Sequence, residues 1–222
     1  MDLWNVSDPR HPKRIATLPS GTKGQPDTIG LSRDGRVALA ADDLHKTVTV
    51  VDTVTRRVRW TRKINAEELT QAALSPDGSE VAVDAGNIGT GTVTTYSTAT
   101  DRQLAQAPTE SRGPLAFIHG GAWIIAESSV WRPGVQMYDA HTLAPFGVPF
   151  PVRDLTDFLT TNQAGTEFGA SDRTVRLWDA DPAHWIATAC RIAGRNLSAS
   201  EWQHYLPGLA YQVTCPQWPP GG

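Results

Sequence analysis

The residues of this 222-residue chain best suited to metal binding or nucleophilic chemistry are its six histidines and two cysteines. The histidines form no HxH or HExxH pattern, and neither cysteine stands at a metal-site spacing from a histidine. No serine lies in the GxSxG pattern that exposes a nucleophile in an α/β-hydrolase. We therefore expect no catalytic residue, no metal ligands and no cofactor, and we predict that the chain is not an enzyme.

A glycine-rich stretch, "GNIGTGT" at 86–92, has a composition that is also found in phosphate-binding loops. Such loops continue into Lys-Ser or Lys-Thr at the start of a helix. Here a strand pattern follows instead. The stretch is better interpreted as a long loop between strands.

The two cysteines, Cys190 and Cys215, lie in the last fifth of the chain. A disulfide between them would stabilise that segment by about 3 kcal/mol on the loop-entropy model. The alternative is two buried thiols in a reducing compartment. The pattern slightly favours the disulfide, which requires the two Cα atoms to lie within about 7 Å of each other.

The composition excludes several classes of protein. The apolar fraction of 40% is ample for a packed core, and the net charge of −3 argues against a general role in binding nucleic acid. No run approaches the roughly 18 apolar residues of a membrane span, and the polar N-terminus does not resemble a secretory signal. We expect a soluble segment without membrane insertion, cytoplasmic unless an upstream membrane anchor exports it.

The elements that position these residues follow an internal repeat. Turn signals ending in glycine recur about every 43 residues, at Gly35, Gly78, Gly121 and Gly165. Each lies between two short apolar runs, as in a tight hairpin where glycine takes a positive φ. A third strand follows in all four units and a fourth strand in the first three. Four antiparallel strands per unit predict β-propeller blades.

The sequences "SDRTVRLWDA" (171–180) and "LSPDG" (74–78) resemble the WD-repeat β-propeller family. The resemblance covers about 1–180. It implies an all-β domain of about four blades, either complete or part of a larger ring.

The family's stabilising hydrogen-bond tetrad is matched only in part. The family's Gly-His dipeptide is absent from all four units, so the tetrad cannot be complete, and we expect stability to depend more on packing between blades. Ser171, Asp172 and Trp178 match the family's pattern. We predict a structural role for these three residues and for Asp179, which follows the motif tryptophan.

A helical tail is predicted for 181–222. Asp181 followed by Pro182 is typical of a helix start, and Gly194 of a helix end. Ser198 and Glu201 form a capping-box pattern for a second helix. The stretch from about 185 to 216 resembles the C-terminal tail that follows WD-repeat propellers in large bacterial signalling proteins.

The N-terminus carries two additional strand patterns, "LWNV" (3–6) and "RIATLP" (14–19). In WD-repeat propellers an N-terminal strand usually completes the last blade, and "RIATLP" is the candidate for that position. "LWNV" would then have no place in the ring. We therefore expect residues 1–222 to be the C-terminal part of a larger ring, with possible self-association when expressed alone.

Three long loops are expected on one face of the propeller, opposite the glycine turns. They contain the predicted partner-binding residues His45, Lys46, Asn87, Ile88, Trp131 and Arg132. Aromatic residues and arginine often anchor interfaces, although Trp131 could instead fold back onto its own blade. The sequence favours a non-enzymatic scaffold or sensor module that binds a protein or peptide on this face.

The alternative is a propeller enzyme or ligand-binding propeller with a site in its central channel. Such a site would be indicated by inward-pointing His, Asp or Glu repeated at the starts of the inner strands. Those strands are predicted to begin at Thr28, Leu69, Pro114 and Leu155, without such a ring.

One outer strand is strongly basic. The run 56–63, "RRVRWTRK", has five basic residues in eight. Strand alternation places Arg57, Arg59 and Lys63 on one face, and Val58 and Trp60 on the other. Charges on an edge strand commonly prevent edge-to-edge pairing, and this interpretation is favoured over a patch for an acidic partner.

Overall fold

The computed structural model describes residues 1–21, 26–87, 90–109, 113–127, 134–153, 158–171 and 174–221. The chain divides into two compact units, Met1–Trp178 and Asp179–Gly222. The first unit consists of antiparallel β-sheets and the second contains two short helices. None of the described helices is long and apolar enough to cross a membrane.

The first unit has a four-blade propeller arrangement preceded by a hairpin. The hairpin consists of β1 (Asp2–Asn5) and β2 (Lys13–Thr17). Blade 1 consists of β3 (Thr28–Leu31), β4 (Val37–Asp42), β5 (Thr47–Asp52) and β6 (Arg57–Lys63). Blade 2 consists of β7 (Leu69–Leu74), β8 (Glu80–Ala85), β9 (Gly91–Ser97) and β10 (Gln103–Thr109). Blade 3 consists of β11 (Leu115–Ile118), β12 (Trp123–Glu127), β13 (Gly134–Asp139) and β14 (Pro145–Pro151). Blade 4 consists of β15 (Leu159–Thr161), β16 (Glu167–Ser171) and β17 (Val175–Asp179).

The predicted glycine turns join the first two strands of each blade. In blade 1 the Ser32 hydroxyl donates to Asp34 and accepts from the Val37 N–H, and Gly35 has φ +70°. The same serine and aspartate contacts recur one repeat later in blade 2. Only glycine adopts this φ without a steric penalty, which explains its recurrence at the end of the turn signal.

The core lies between neighbouring blades. Apolar residues of the central strands of blade 1, including Leu39 and Val50, pack against those of blade 2, including Val81 and Val83. A second cluster joins blade 2 to blade 3. The central strands are buried on both faces, so their sequences are almost continuously apolar rather than alternating.

A polar contact also fastens blade 1 to blade 2. The Trp60 Nε1–H donates to Asp101 Oδ1 at 2.6 Å, and the Arg62 guanidinium donates to the same oxygen at 2.8 Å. The guanidinium also lies 4.4 Å from the centre of the Tyr96 ring. Asp101 therefore links the outer strand of one blade to the turn between the last two strands of the next.

We expect Asp101→Ala to destabilise the blades by about 1–3 kcal/mol, because it removes the acceptor from the buried Trp60 indole. Urea unfolding followed by circular dichroism measures the loss. Since Asp101 has a positive φ, the alanine also introduces backbone strain. Repeating the substitution in a Trp60→Phe background separates the two effects. If Asp101→Ala lowers the free energy of unfolding by the same amount there, the hydrogen bond between Trp60 and Asp101 does not contribute to stability.

The N-terminal hairpin corrects the expectation that "RIATLP" completes the last blade. β2 pairs with β1, with Asp2 opposite Thr17, and not with β17. A turn centred on Asp8, which accepts from the Arg10 N–H and His11 ring, favours this local pairing. The hairpin packs against Ala38 and Val51 on the outer face of blade 1.

Strand alternation is also interrupted in β6. Trp60 pairs with Val50, and Val58 pairs with Val51, so the strand has a bulge between them. Because adjacent residues point to opposite faces of a sheet, the bulge separates two side chains that simple alternation places together. Trp60 is buried, whereas Val58 is 46% exposed. The prediction that they share a face is therefore wrong, and so is the prediction that Arg57 and Lys63 share the other face.

Blade 4 has three strands in the described part of the chain. Its inner strand begins at Leu159, and Leu155, where the sequence placed the start, lies outside the described residues. Trp178 stacks on Phe168 with ring centres 5.2 Å apart. The opposite face of β17 carries Val175 and Leu177, which are 64% and 76% exposed.

The second unit contains α1 (Pro182–Ala193) and α2 (Ala199–Tyr205). Asp181 caps α1, and Gly194 ends it with φ +66°. Ser198 and Glu201 form the predicted capping box at α2. Both helices therefore begin at the signals found in the sequence, and α1 also ends at its predicted glycine.

Candidate functional site

The two ends of the blades present different kinds of connection. At one end lie the glycine turns and the turns between third and fourth strands, since the Thr53 hydroxyl donates to the Gly35 carbonyl at 2.7 Å. The Thr98 hydroxyl makes the equivalent bond to Gly78 in blade 2. At the other end lie the loops between second and third strands together with the links between blades. We call this second end the long-loop face; its described part includes loop 43–46 and residues 86, 87 and 90, while 88–89 and 128–133 lie outside the described residues.

Loop 43–46 is held in place by hydrogen bonds to both neighbouring links. The Asp43 N–H donates to Asp27 before β3, and the Asp43 carboxylate accepts from the Leu69 N–H at the start of β7, both at 2.8 Å. Lys46 Nζ also donates to Asp43 at 2.7 Å. The loop is therefore rigidly attached at the boundary between two blades.

The His45 ring is held by Asp42, which is itself buried. Their ring nitrogen and carboxylate lie 2.7 Å apart, and the His45 N–H donates to the same carboxylate at 3.0 Å. Burial alone would raise the pKa of Asp42, but the hydrogen bonds from His45 outweigh it and hold this pKa below its ordinary value. His45 and Lys46, predicted to bind a partner, thus also make contacts within their own loop.

At the tip of this loop lies an apolar side chain that no sequence motif singles out. Leu44 is 82% exposed. It follows two aspartates whose carboxylates are both engaged in the contacts above. A leucine in a short polar loop is unremarkable in sequence, and only its exposure on an immobilised backbone distinguishes it.

Of the remaining predicted contact residues, the structure describes Asn87. Asn87 is exposed, and its carbonyl accepts from the Thr90 N–H at 3.0 Å. Ile88, Trp131 and Arg132 lie outside the described residues.

A central cavity of about 490 Å³ lies between the four inner strands. Its polar groups include the Thr28 hydroxyl, which donates to Gln71 at 3.1 Å, and the side chains of Thr160 and Thr161. Ile29, Phe117 and Phe158 contribute apolar surface. The described lining carries no ionisable side chain, so it provides no general acid or base and suits uncharged ligands.

Among the described residues, histidines pair with single aspartates but form no larger cluster with acidic residues. His119 stacks on Trp123 with ring centres 4.3 Å apart, and the His141 N–H donates to Asp139. No group of three or more His, Cys, Asp or Glu residues is placed to hold a metal ion among the residues described.

The residues that resemble the WD-repeat pattern have structural contacts where they are described. Ser171 ends β16, Trp178 packs in blade 4, and Asp172 lies outside the described residues. Asp179 accepts from the Asp181 N–H, which contributes most to lowering the pKa of Asp179, and from the His184 ring at 2.8 Å. Asp179 thus helps to start the tail helix.

The tail unit is organised around a disulfide and a buried asparagine. Cys190 and Cys215 are bonded, with Cα atoms 5.4 Å apart. The Asn196 amide donates to the carbonyls of Cys215, Trp218 and Pro219, and its carbonyl accepts from the Cys215 N–H. These contacts fix the last turns of the chain against the end of α1.

An ion pair supports the second helix. The Arg195 guanidinium donates to both oxygens of Glu201, at 2.6 and 2.7 Å. These bonds, followed by the one from the Ser198 N–H, lower the pKa of Glu201 to about 2. The capping-box pattern predicts the role of Glu201, but it does not indicate Arg195 as its partner.

Comparison with known proteins adds no relative. No protein-family model matches the chain, and no curated protein matches it.

Proposed function

We propose that this chain is a WD-repeat propeller module of a larger bacterial signalling protein, without catalytic activity, that binds a protein or peptide on its long-loop face. The motif at 171–180 and the tail sequence support the family and the bacterial context. The propeller arrangement supports the fold on which the proposal depends.

The observation that carries the proposal is the presentation of Leu44. A side chain that is 82% exposed on a loop fixed at both neighbouring links loses little conformational freedom when a partner covers it. Burying such a side chain contributes about 1.5–3 kcal/mol. Loop 43–46 is therefore preorganised for binding.

The test compares two exposed apolar residues of blade 1. Leu44 lies on the long-loop face, and Val54, which is 70% exposed, lies in the turn between β5 and β6 at the other end. A partner captured by the wild-type chain should bind Leu44→Asp about tenfold more weakly, because a charge replaces an apolar contact. Trp131→Ala should also weaken binding.

Val54→Asp is the matched control and should bind as the wild type does. Affinities are measured by biolayer interferometry with the purified partner. If Leu44→Asp and Trp131→Ala both bind normally while Val54→Asp loses binding, the binding surface is the glycine-turn end and the proposal is wrong.

A second candidate function is supported by the central cavity. Its volume of about 490 Å³ is within the range of small-molecule sites, and its uncharged lining favours a neutral ligand. A ligand there would make the chain a binding propeller rather than an enzyme. Stoichiometric metal in the purified protein would instead favour the enzyme hypothesis.

A further inference from the structure

The outer strands of the three four-stranded blades differ in their capacity to pair with another strand. β10 contains Pro108, and β14 contains Pro145, Pro149 and Pro151. Proline has no N–H to donate, and it protects exposed edges against pairing. β6 has seven residues and no proline. Its edge therefore keeps every backbone donor.

The register of blade 1 shows which groups of β6 face outward. The Ile64 N–H donates to the Lys46 carbonyl, so the residues at alternate positions before Ile64 form hydrogen bonds with β5. Thr61 and Lys63 lie between those positions. Their backbone N–H and C=O groups point away from the sheet, where an added strand would pair.

This edge is also basic. Arg59 pairs with Asp52 at 2.6 Å and Arg62 with Asp101 at 2.8 Å. Arg56, Arg57 and Lys63 are exposed and have no ion-pair partner among the residues that the structure describes. The edge thus combines free backbone groups with uncompensated positive charge on a chain whose net charge is −3.

We propose that the β6 edge binds an extended acidic peptide, which adds as a fifth strand to blade 1. Main-chain hydrogen bonds would supply affinity, as in other strand-addition complexes, and the basic side chains would select the partner. Pairing of β6 with β6 of a second copy is disfavoured, because like charges would face each other across the strands. Acidic side chains on both faces of an added strand would reverse that repulsion, because the bulge in β6 places Arg57 and Lys63 on opposite faces of the sheet.

The probe is a fluorescein-labelled heptapeptide, EVEEVEV, which carries two glutamates on each face of an extended strand. It is titrated with residues 1–222 and followed by fluorescence anisotropy. The matched peptide replaces glutamate with lysine. We expect saturable binding of the acidic peptide only, weakening as salt is raised. Equal binding of both peptides, or of neither, would overturn the proposal.

Two variants test the two components of the site. Arg57→Glu with Lys63→Glu reverses the charge of the edge and should weaken binding about tenfold. Thr61→Pro removes one outward N–H while keeping all the charges, and should also weaken binding. Arg33→Glu with Arg36→Glu makes the same change in net charge in the glycine turn of blade 1 and should bind normally.

If Thr61→Pro lowers the melting temperature, its effect on peptide binding is not specific to the edge. The charge-reversal pair and its control then test the proposal. Equal weakening by the two charge-reversal pairs would show that only net charge is recognised, and it would refute strand addition. Amide chemical shifts provide the location: perturbations in β6 are expected, and perturbations confined to other blades would contradict the proposal.

Discussion

Reduction of the Cys190–Cys215 disulfide is expected to unfold residues 179–221 while the propeller blades stay folded. The tail unit has few buried apolar side chains among its described residues, chiefly Trp202 and the two half-cystines. Units this small usually need a covalent or metal crosslink. On the loop-entropy model, this disulfide supplies about 3 kcal/mol. Its loss would remove most of the stability that such a unit can have.

Hydrogen exchange measured by mass spectrometry, with and without a phosphine reductant, tests the prediction by region. Amides of α1 and α2 should lose their protection on reduction. Amides of β8, in the core between blades 1 and 2, should keep theirs and provide the internal reference. The variant Cys190→Ala with Cys215→Ala should reproduce the reduced pattern without reductant.

Persisting protection of both helices after reduction would show that the Asn196 contacts, rather than the disulfide, hold the tail. The mass of the purified chain before and after thiol alkylation separately gives its redox state. A bridged form from native cells would indicate maturation in an oxidising compartment.

The fold could be predicted because its signals are local and repeated. The recurring glycine turn fixes where each hairpin lies, and the caps at Asp181 and Ser198 fix both helix starts. The errors arose where the outcome depends on distant pairing. "RIATLP" forms a strand as expected, but its partner is the neighbouring β1, because pairing across a short turn costs less loop-closure entropy.

The candidate site was less predictable. Residue type alone favours Trp131 and Arg132 as binding residues and overlooks Leu44. The significance of Leu44 depends on the hydrogen bonds that Asp43 makes to Asp27 and Leu69, and no motif encodes those contacts. The bulge in β6 likewise depends on the register with β5, which alternation along one strand does not reveal.

Residues 1–222 alone are expected to self-associate, because two apolar surfaces of the propeller unit are uncovered. Val175 and Leu177 lie on the outer face of blade 4, and Ile29 and Leu31, 68% and 54% exposed, lie on β3 of blade 1. Beside β3 is a groove of about 240 Å³ lined mainly by apolar side chains of blade 1 and the N-terminal hairpin. Between blades 1 and 2, the corresponding faces are buried against each other.

Sedimentation velocity at several concentrations measures the association. Val175→Thr with Leu177→Lys should shift the chain towards monomer, since burying one such leucine contributes about 1.5–3 kcal/mol to an interface. Val148→Lys is the matched control: this side chain is 86% exposed on the outer strand of blade 3, and its substitution should leave association unchanged.

The same surfaces connect self-association to the ring-fragment hypothesis. Propeller blades are stabilised chiefly through their neighbours, so a blade with one uncovered face lacks part of its stabilising contacts. Upstream repeats that cover β3 should therefore raise the melting temperature and make the protein monomeric. In such a longer chain, where the face that carries Leu177 is buried, Leu177→Lys should lower the free energy of unfolding more than it does in residues 1–222. A monomer of residues 1–222 that melts in one sharp cooperative transition would contradict this hypothesis and favour a closed four-blade ring.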